Sequence, residues 1–378
     1  MRDLKRIRAQ FVLWLALQTA ATSASATGLV YYGGPVIGNA QVVMVNWGDS
    51  VPMTVQNSLP AFYSDIVQSD YWTALHEYAT TINGHDGAAG SNQQIGLGSF
   101  VGPITIAPAH CPTSTSCTVT DTEIGAELEN QITNLSVLPA PTTDDAGHVN
   151  TVYMVHFNPN VKIVVQGSNT SCQQFCGDFT NFSHAGLNVT AGILPDQSGS
   201  CGPPGCGGAG SGASYLDIET FTSSVILVNI VTDPLAPSAA TIARPLAWID
   251  PSNGQLADIC FIASPAGDSK TVVANGNSYK VGRLWSNAAN SCVLAGSEFV
   301  VHASAGDHGT ISPAGPLAVN SSTQAEFTVT ADGGFDTVVT GTCGGLLSGT
   351  TFTTNLVMAD CSVVANFSDV VFADGFDI

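Results

Sequence analysis

The run Gln41-Val42-Val43-Met44-Val45-Asn46-Trp47 is almost continuously apolar and stops at Gly48-Asp49-Ser50, a pattern that predicts a strand buried on both faces and ended by a turn. A change of period follows. Leu59, Phe62, Tyr63, Ile66 and Val67, and then Trp72, Leu75 and Tyr78, recur at helical spacing with a break around Ser69-Asp70. A second helix is predicted after Thr120. Thr120 is its cap, Glu123 stands at the third position to complete a capping box, and Ile124, Leu128 and Ile132 form its apolar stripe. Thr151–Phe157, Lys162–Val165 and Thr190–Leu194 read as further buried or edge strands. Strands alternating with helices predict a layered α/β domain.

The pattern changes again near the end of the chain. Glu298–Ala303, Gln324–Thr330 and Cys361–Phe367 alternate with period two, between segments rich in Gly, Thr and Ser. They predict a small all-β module over 298–368, a β-sandwich or a β-grasp, with Cys343 and Cys361 pinning two strands. The boundary is placed at Ala295-Gly296-Ser297, so the α/β domain is expected over 28–295 and a short tail over 369–378. Ser198–Ser214 is Gly, Ser, Pro and Cys with almost nothing apolar, and reads as a surface loop.

The first residues carry Arg2, Lys5, Arg6 and Arg8, then an apolar run from Phe11 to Ala21, then Ala24-Ser25-Ala26. This is the layout of a signal peptide over 1–26, too short in its apolar part to span a bilayer. No later segment reaches spanning length, so a secreted chain without a transmembrane segment is expected. Of the 9 basic and 29 acidic residues, the leader holds four and one, which leaves Lys162, Arg244, Lys270, Lys280 and Arg283 against 28 carboxylates, a formal charge of −23. Such a surface repels polyanions, which excludes nucleic acid as a partner. Ten cysteines in an exported chain predict disulfides. Their spacing suggests the neighbour pairs Cys111/Cys117, Cys172/Cys176, Cys201/Cys206, Cys260/Cys292 and Cys343/Cys361, although order along a chain does not fix connectivity. Oxidised thiols are not thiolate ligands, so these cysteines are not read as a metal site.

Several ordered stretches carry a resemblance: Tyr31-Tyr32-Gly33-Gly34-Pro35, Val43–Gly48, Gly90–Gly96, Gly147–Met154, Ile193-Leu194-Pro195-Asp196, Val231-Thr232-Asp233-Pro234, Leu246–Asp250, Asp258-Ile259-Cys260 and Trp285-Ser286-Asn287 with Cys292. Over about 270 residues the chain resembles a family of secreted bacterial proteins that is itself distantly similar to plant phosphate-induced, exordium-like proteins. In many of those members the segment before Thr-Asp-Pro looks like Ser-His-Glu-Leu-x-Glu, similar to a zincin active-site helix. There a His and a Glu one helical turn apart share a face and hold Zn²⁺, while the Glu beside the His takes a proton from the metal-bound water. The resemblance therefore implies a zincin-like α/β fold.

The chain departs from that pattern at every ligand position. Val225 stands for the His, Ile226 for the adjacent Glu, Asn229 for the second Glu and Gln255 for a downstream Glu. Aliphatic side chains have no lone pairs, and amides cannot supply a carboxylate's charge, so zinc hydrolysis is not expected here. Taken alone, the β-branched run Val225–Val231 would be a strand; the resemblance makes it a buried helix. The β module resembles bacterial extracellular repeats through Gly309-Thr310-Ile311-Ser312-Pro313 and Cys361–Phe367.

Other chemistry is weaker. His76-Glu77-Tyr78-Ala79-Thr80 lacks the second His of a zincin and reads as the polar side of an amphipathic helix. Ser200 and Ser211 sit in Gly-rich text without the strand and helix of a nucleophile elbow. The turns Asp144-Asp145-Ala146-Gly147 and His85-Asp86-Gly87 leave room for structural calcium, though neither matches the full binding loop. The expectation is a secreted pseudo-metallopeptidase without a cofactor, which binds an extracellular polymer or protein at the cell surface. The opposing expectation is an active secreted metal-dependent peptidase or hydrolase whose metal is held by His148, His156 or His184.

Overall fold

The computed structural model describes residues 28–113, 115–198, 201, 212–235, 242–263, 269–294, 298–320, 323–357 and 360–369. The expected leader, the boundary at 295–297, the tail beyond Asp369 and most of the Gly/Ser loop lie outside these residues. The first region opens with β1 (Val30–Tyr31), β2 (Gln41–Trp47), α1 (Met53–Ile66), α2 (Asp70–Thr73), a 3-10 turn (Ala74–Tyr78), β3 (Ser99–Ile106), β4 (Cys117–Thr120) and α3 (Asp121–Thr133). It continues with β5 (Thr151–His156), β6 (Val161–Val165), β7 (Asn169–Thr170), β8 (Asp178–His184), β9 (Leu187–Leu194), α4 (Tyr215–Thr232), β10 (Trp248–Ile249) and α5 (Leu256–Ala263). Two hairpins close it, β11 (Ser269–Ala274) with β12 (Asn277–Gly282), and β13 (Leu284–Ser286) with β14 (Ser291–Val293).

The centre is a five-stranded sheet in the order β3-β2-β5-β9-β8, parallel except where β8 pairs antiparallel with β9. Strand pleating divides its residues between two cores. Val42, Met44, Val152 and Met154 join Phe62, Leu227 and Ile230 on the face covered by α1 and α4. Val43, Val45, Tyr153 and Val155 join Ile124 and Leu128 of α3 on the other face. Helices on both faces explain why β2 and β5 are buried at nearly every position and apolar at most of them instead of alternating. The layered α/β expectation holds at this level.

Two local signals act as expected. Thr120 and Glu123 form a reciprocal capping box at the start of α3. Ser69 starts α2 at the expected break, so the apolar series from Leu59 to Tyr78 is three short elements, not one helix. His76 and Glu77 consequently lie in the 3-10 turn and are part-buried, not on the polar side of an amphipathic helix. Glu77 Oε1 accepts from Ala288 N at 2.8 Å.

From Glu298 onward the chain is strand only among the described residues: β15 (Glu298–Ala305), β16 (Gly309–Ser312), β17 (Gly315–Asn320), β18 (Glu326–Ala331), β19 (Phe335–Thr340), β20 (Gly345–Ser348), β21 (Thr351–Thr354) and β22 (Cys361–Asp369). They form two four-stranded sheets, β17-β15-β22-β19 and β16-β18-β21-β20, around a core that includes Val301, Ile311, Phe327, Phe352 and Val363. Of the two architectures expected, this is the sandwich.

The disulfides correct one expectation. Cys111–Cys117, Cys260–Cys292 and Cys343–Cys361 are bonded as neighbours, but Cys172 bonds Cys201, which overturns both the Cys172/Cys176 and the Cys201/Cys206 pairs. Their Cα atoms are 4.4 Å apart, which tethers the end of the β7 segment to the loop before α4. Cys201 is fully buried against Ile218 and Phe221, so this pairing follows from packing between distant segments and not from spacing. Cys176 is also disulfide-bonded, and Cys206 lies outside the described residues.

Candidate functional site

α4 organises the polar interior of the first region. Ser214 accepts a bond from Asp217 N, and the Asp217 carboxylate accepts from Ser214 N at 2.8 Å, a second capping box that fixes where the helix begins. From Ile218 to Thr232 every side chain except Val225 is buried. The segment Val225–Val231 is thus a buried helix, as the resemblance implied. Tertiary packing overrides the strand propensity of its β-branched residues.

Val225, Ile226, Asn229 and Gln255 have four different surroundings. Val225 packs on β12, where a Cβ on Gly282 would lie 2.7 Å from its Cγ2. Ile226 fills a notch made by two glycines; added Cβ atoms on Gly177 and Gly192 would stand 2.7 and 3.2 Å from its side chain. Asn229 donates from Nδ2 to Asp258 Oδ1 at 2.9 Å and accepts from Ala257 N at 2.8 Å. Gln255 turns away from Asn229 and donates from Nε2 to Asp233, at 3.1 Å to its carbonyl and 3.3 Å to Oδ2.

Both nearby carboxyls are already engaged. Asp258 Oδ2 accepts from Gln255 N at 3.1 Å, and Asp233 Oδ1 accepts from Ala247 N at 2.8 Å. Burial pushes the Asp233 carboxyl up to about 7 and raises that of Asp258, against the pull of those hydrogen bonds. These residues do not fit a zinc ion. Asn229 uses its amide oxygen and nitrogen between α4 and α5, Gln255 spends its amide donor on Asp233, and two of the four positions carry only hydrocarbon.

The histidines do not converge elsewhere. His148 bonds Asp144 through Nδ1 at 2.9 Å, before the start of β5. His156, at the other end of β5, is buried, bonds the Tyr63 hydroxyl at 3.0 Å, and is held down to about 3 by burial. His184 bonds Glu129 of α3 at 2.8 Å. Among the described residues no three His, Cys, Asp or Glu side chains gather as a metal site. In the two turns considered for calcium, Asp144 and Asp86 already have partners. Asp144 also accepts from Ala146 N and His148 N, and Asp86 is paired with Arg244 at 3.0 Å. Ser200 and Ser211 lie outside the described residues.

The sequence reading missed a second polar group on α4. Glu219 is buried and accepts from Gln197 N at 2.9 Å, and the Tyr215 hydroxyl donates to Asp196 Oδ2. Burial drives the Glu219 carboxyl up to about 8, with the nearby Asp196 charge adding to it. On the same helix face the buried Ser223 adjoins the Tyr63 hydroxyl. Only Ser214-Tyr215-Leu216-Asp217, with the spacing of a capping box, signalled in the sequence that a helix began here.

A surface groove of about 250 Å³ lies at the opposite end of the sheet, beside the start of β5, the β8–β9 turn and the residues after α4. Val36, Ile37, Leu187 and Leu235 give it apolar walls, and His148 supplies its one ionisable side chain.

Comparison with protein-family models, with curated proteins and with solved structures returned no match. What is established is therefore a mixed α/β region followed by an all-β region, cross-linked by disulfides, in which no helix of the described residues is long and apolar enough to cross a membrane.

Proposed function

We propose that this is an exported, non-catalytic binding protein built on a zincin-like scaffold whose metal site has been converted to core. The observation that carries this reading is the fate of the four departing positions: Val225 and Ile226 pack against glycines, while Asn229 and Gln255 are hydrogen-bonded to neighbouring backbone and carboxyl groups. A glycine notch closed by Ile226 has no room for a carboxylate and a metal-bound water. The cleft that a peptidase would need along residues 223–234 is filled by side chains, so hydrolysis by this route has no place to occur.

The disulfides support export to an oxidising compartment. The acidic composition directs binding toward neutral or basic extracellular material and away from polyanions. The proposal is tested by incubating the purified chain with zinc and measuring its melting temperature and its hydrolysis of a general peptide substrate. No zinc-dependent shift and no chelator-sensitive cleavage are expected. Zinc stabilisation together with chelator-sensitive cleavage would reverse the assignment.

A further inference from the structure

The groove beside His148 has the features of a small-ligand site, and its chemistry is specific enough to name a ligand class. Its walls are mainly aliphatic, and no Phe, Tyr or Trp lines it, so a sugar ring finds none of the broad aromatic faces it usually stacks on. Its volume of about 250 Å³ is below the usual range for drug-sized ligands, which restricts it to compact molecules.

The polar side of the groove is held rigidly. Asp144 Oδ1 accepts from Ala146 N at 3.0 Å and His148 N at 2.8 Å, while Oδ2 bonds the His148 ring at Nδ1, 2.9 Å away. One carboxylate thereby fixes both the loop and the imidazole. In the neutral ring the proton sits on Nδ1 facing Asp144, which leaves Nε2 as a hydrogen-bond acceptor. The Thr190 hydroxyl is already committed to the Pro234 carbonyl at 2.8 Å and does not compete for a ligand. An anionic ligand would meet the Asp144 carboxylate behind the ring and a chain of formal charge −23 after loss of the leader.

We propose that the groove binds a small neutral molecule with an apolar body and one hydroxyl, of the alkylphenol or compact alcohol class, with the body against Val36, Ile37, Leu187 and Leu235 and the hydroxyl donating to His148. The proposal gives a ligand class to the binding reading above, and rests on it only for its biological sense. The two fail separately, because a chain that ignores zinc can still ignore alkylphenols.

The test uses the full chain and three probes with one body: 4-ethylphenol, ethylbenzene and 4-ethylbenzoate, titrated by NMR at slightly alkaline pH. The phenol is expected to bind saturably, about fivefold or more tighter than ethylbenzene, with the carboxylate weakest. His148→Ala should erase the preference for phenol over ethylbenzene and leave the melting temperature close to that of the parent. Leu187→Ala should weaken the phenol and the hydrocarbon alike. No saturable binding of any probe, equal affinities for phenol and hydrocarbon, or a preference that survives His148→Ala would each overturn the proposal.

Discussion

Asn229 on α4 and Asp258 on α5 are joined by a 2.9 Å hydrogen bond, and the same amide accepts the Ala257 N–H at 2.8 Å. One neutral side chain thus satisfies a buried carboxyl and a backbone donor at the start of the neighbouring helix. A second carboxylate at position 229 would face Asp258 with nothing positive between them.

That relationship makes a directional prediction. Asn229→Ala leaves Ala257 N and Asp258 Oδ1 without the partner they share and should cost about 2–3 kcal/mol in urea denaturation. Asn229→Asp should cost more at neutral pH than under acid conditions, where protonation removes the repulsion. Equal destabilisation of Asn229→Asp at both would show that the site is not electrostatically closed.

The notch around Ile226 predicts a size limit. Gly192→Ala would place a Cβ 2.7 Å from Met154 Sδ and 3.2 Å from Ile226 Cγ2, and should destabilise by about 1–3 kcal/mol as overpacking. Ile226→Glu, which places a carboxyl at that position, should cost several kcal/mol by burying an unpaired charge. The check is the denaturation midpoint of each variant against the parent chain.

Stability should rise on mild acidification. Glu219, Asp233 and Asp178 are pushed by burial to about 8, 7 and 6, above their unfolded values near 4. Between those limits the folded chain binds more protons than the unfolded chain, so stability is fully present below about pH 4 for these groups and is lost as pH rises through their folded values. Glu123, Asp86 and Asp144, held down by hydrogen bonds, oppose this at lower pH. The buried His156, held down to about 3, and the part-buried His76 oppose it below about pH 6.5, where the unfolded imidazole takes up a proton; the raised carboxyls outnumber them and set the net sign. Midpoints measured from about pH 4.5 to 8 should therefore fall with pH, and Glu219→Gln should flatten the alkaline part of the curve. A midpoint that climbs toward pH 8 would contradict the burial of these carboxyls.

Mapping disulfides by mass spectrometry without reduction should recover a peptide linking Cys172 to Cys201. Recovery of Cys172 bonded to Cys176 would restore the neighbour pairing and remove the tether between the β7 segment and the loop before α4.

The parts of the fold legible in the sequence are those where one periodicity or one cap decides the element. β2 was visible as an almost continuous apolar run, and α3 through Thr120 and Glu123. α4 was not visible from period, because it is buried on nearly every side and has no polar face to set a rhythm. β3 was hidden by Gly102-Pro103, which interrupts the strand text; the structure absorbs both residues in an irregularity opposite Met44, where pairing passes from Val43–Val101 to Val45–Ile104. The β11–β12 hairpin carried an Asn275-Gly276 turn signal that was overlooked. At positions 225, 226, 229 and 255 the sequence told only which side chains stand there; their packing and hydrogen bonds came from the fold. The Glu219–Asp196–Tyr215 group was not, because it depends on the end of β9 meeting the first turn of α4.

The central claim is that this scaffold has exchanged a metal site for packing. Its most direct test is the metal content of the purified chain by plasma mass spectrometry after exposure to excess zinc and gel filtration. The account predicts zinc far below one atom per chain, unchanged when Asn229 is replaced by Ala. Stoichiometric zinc in the parent chain, reduced by that substitution, would contradict it.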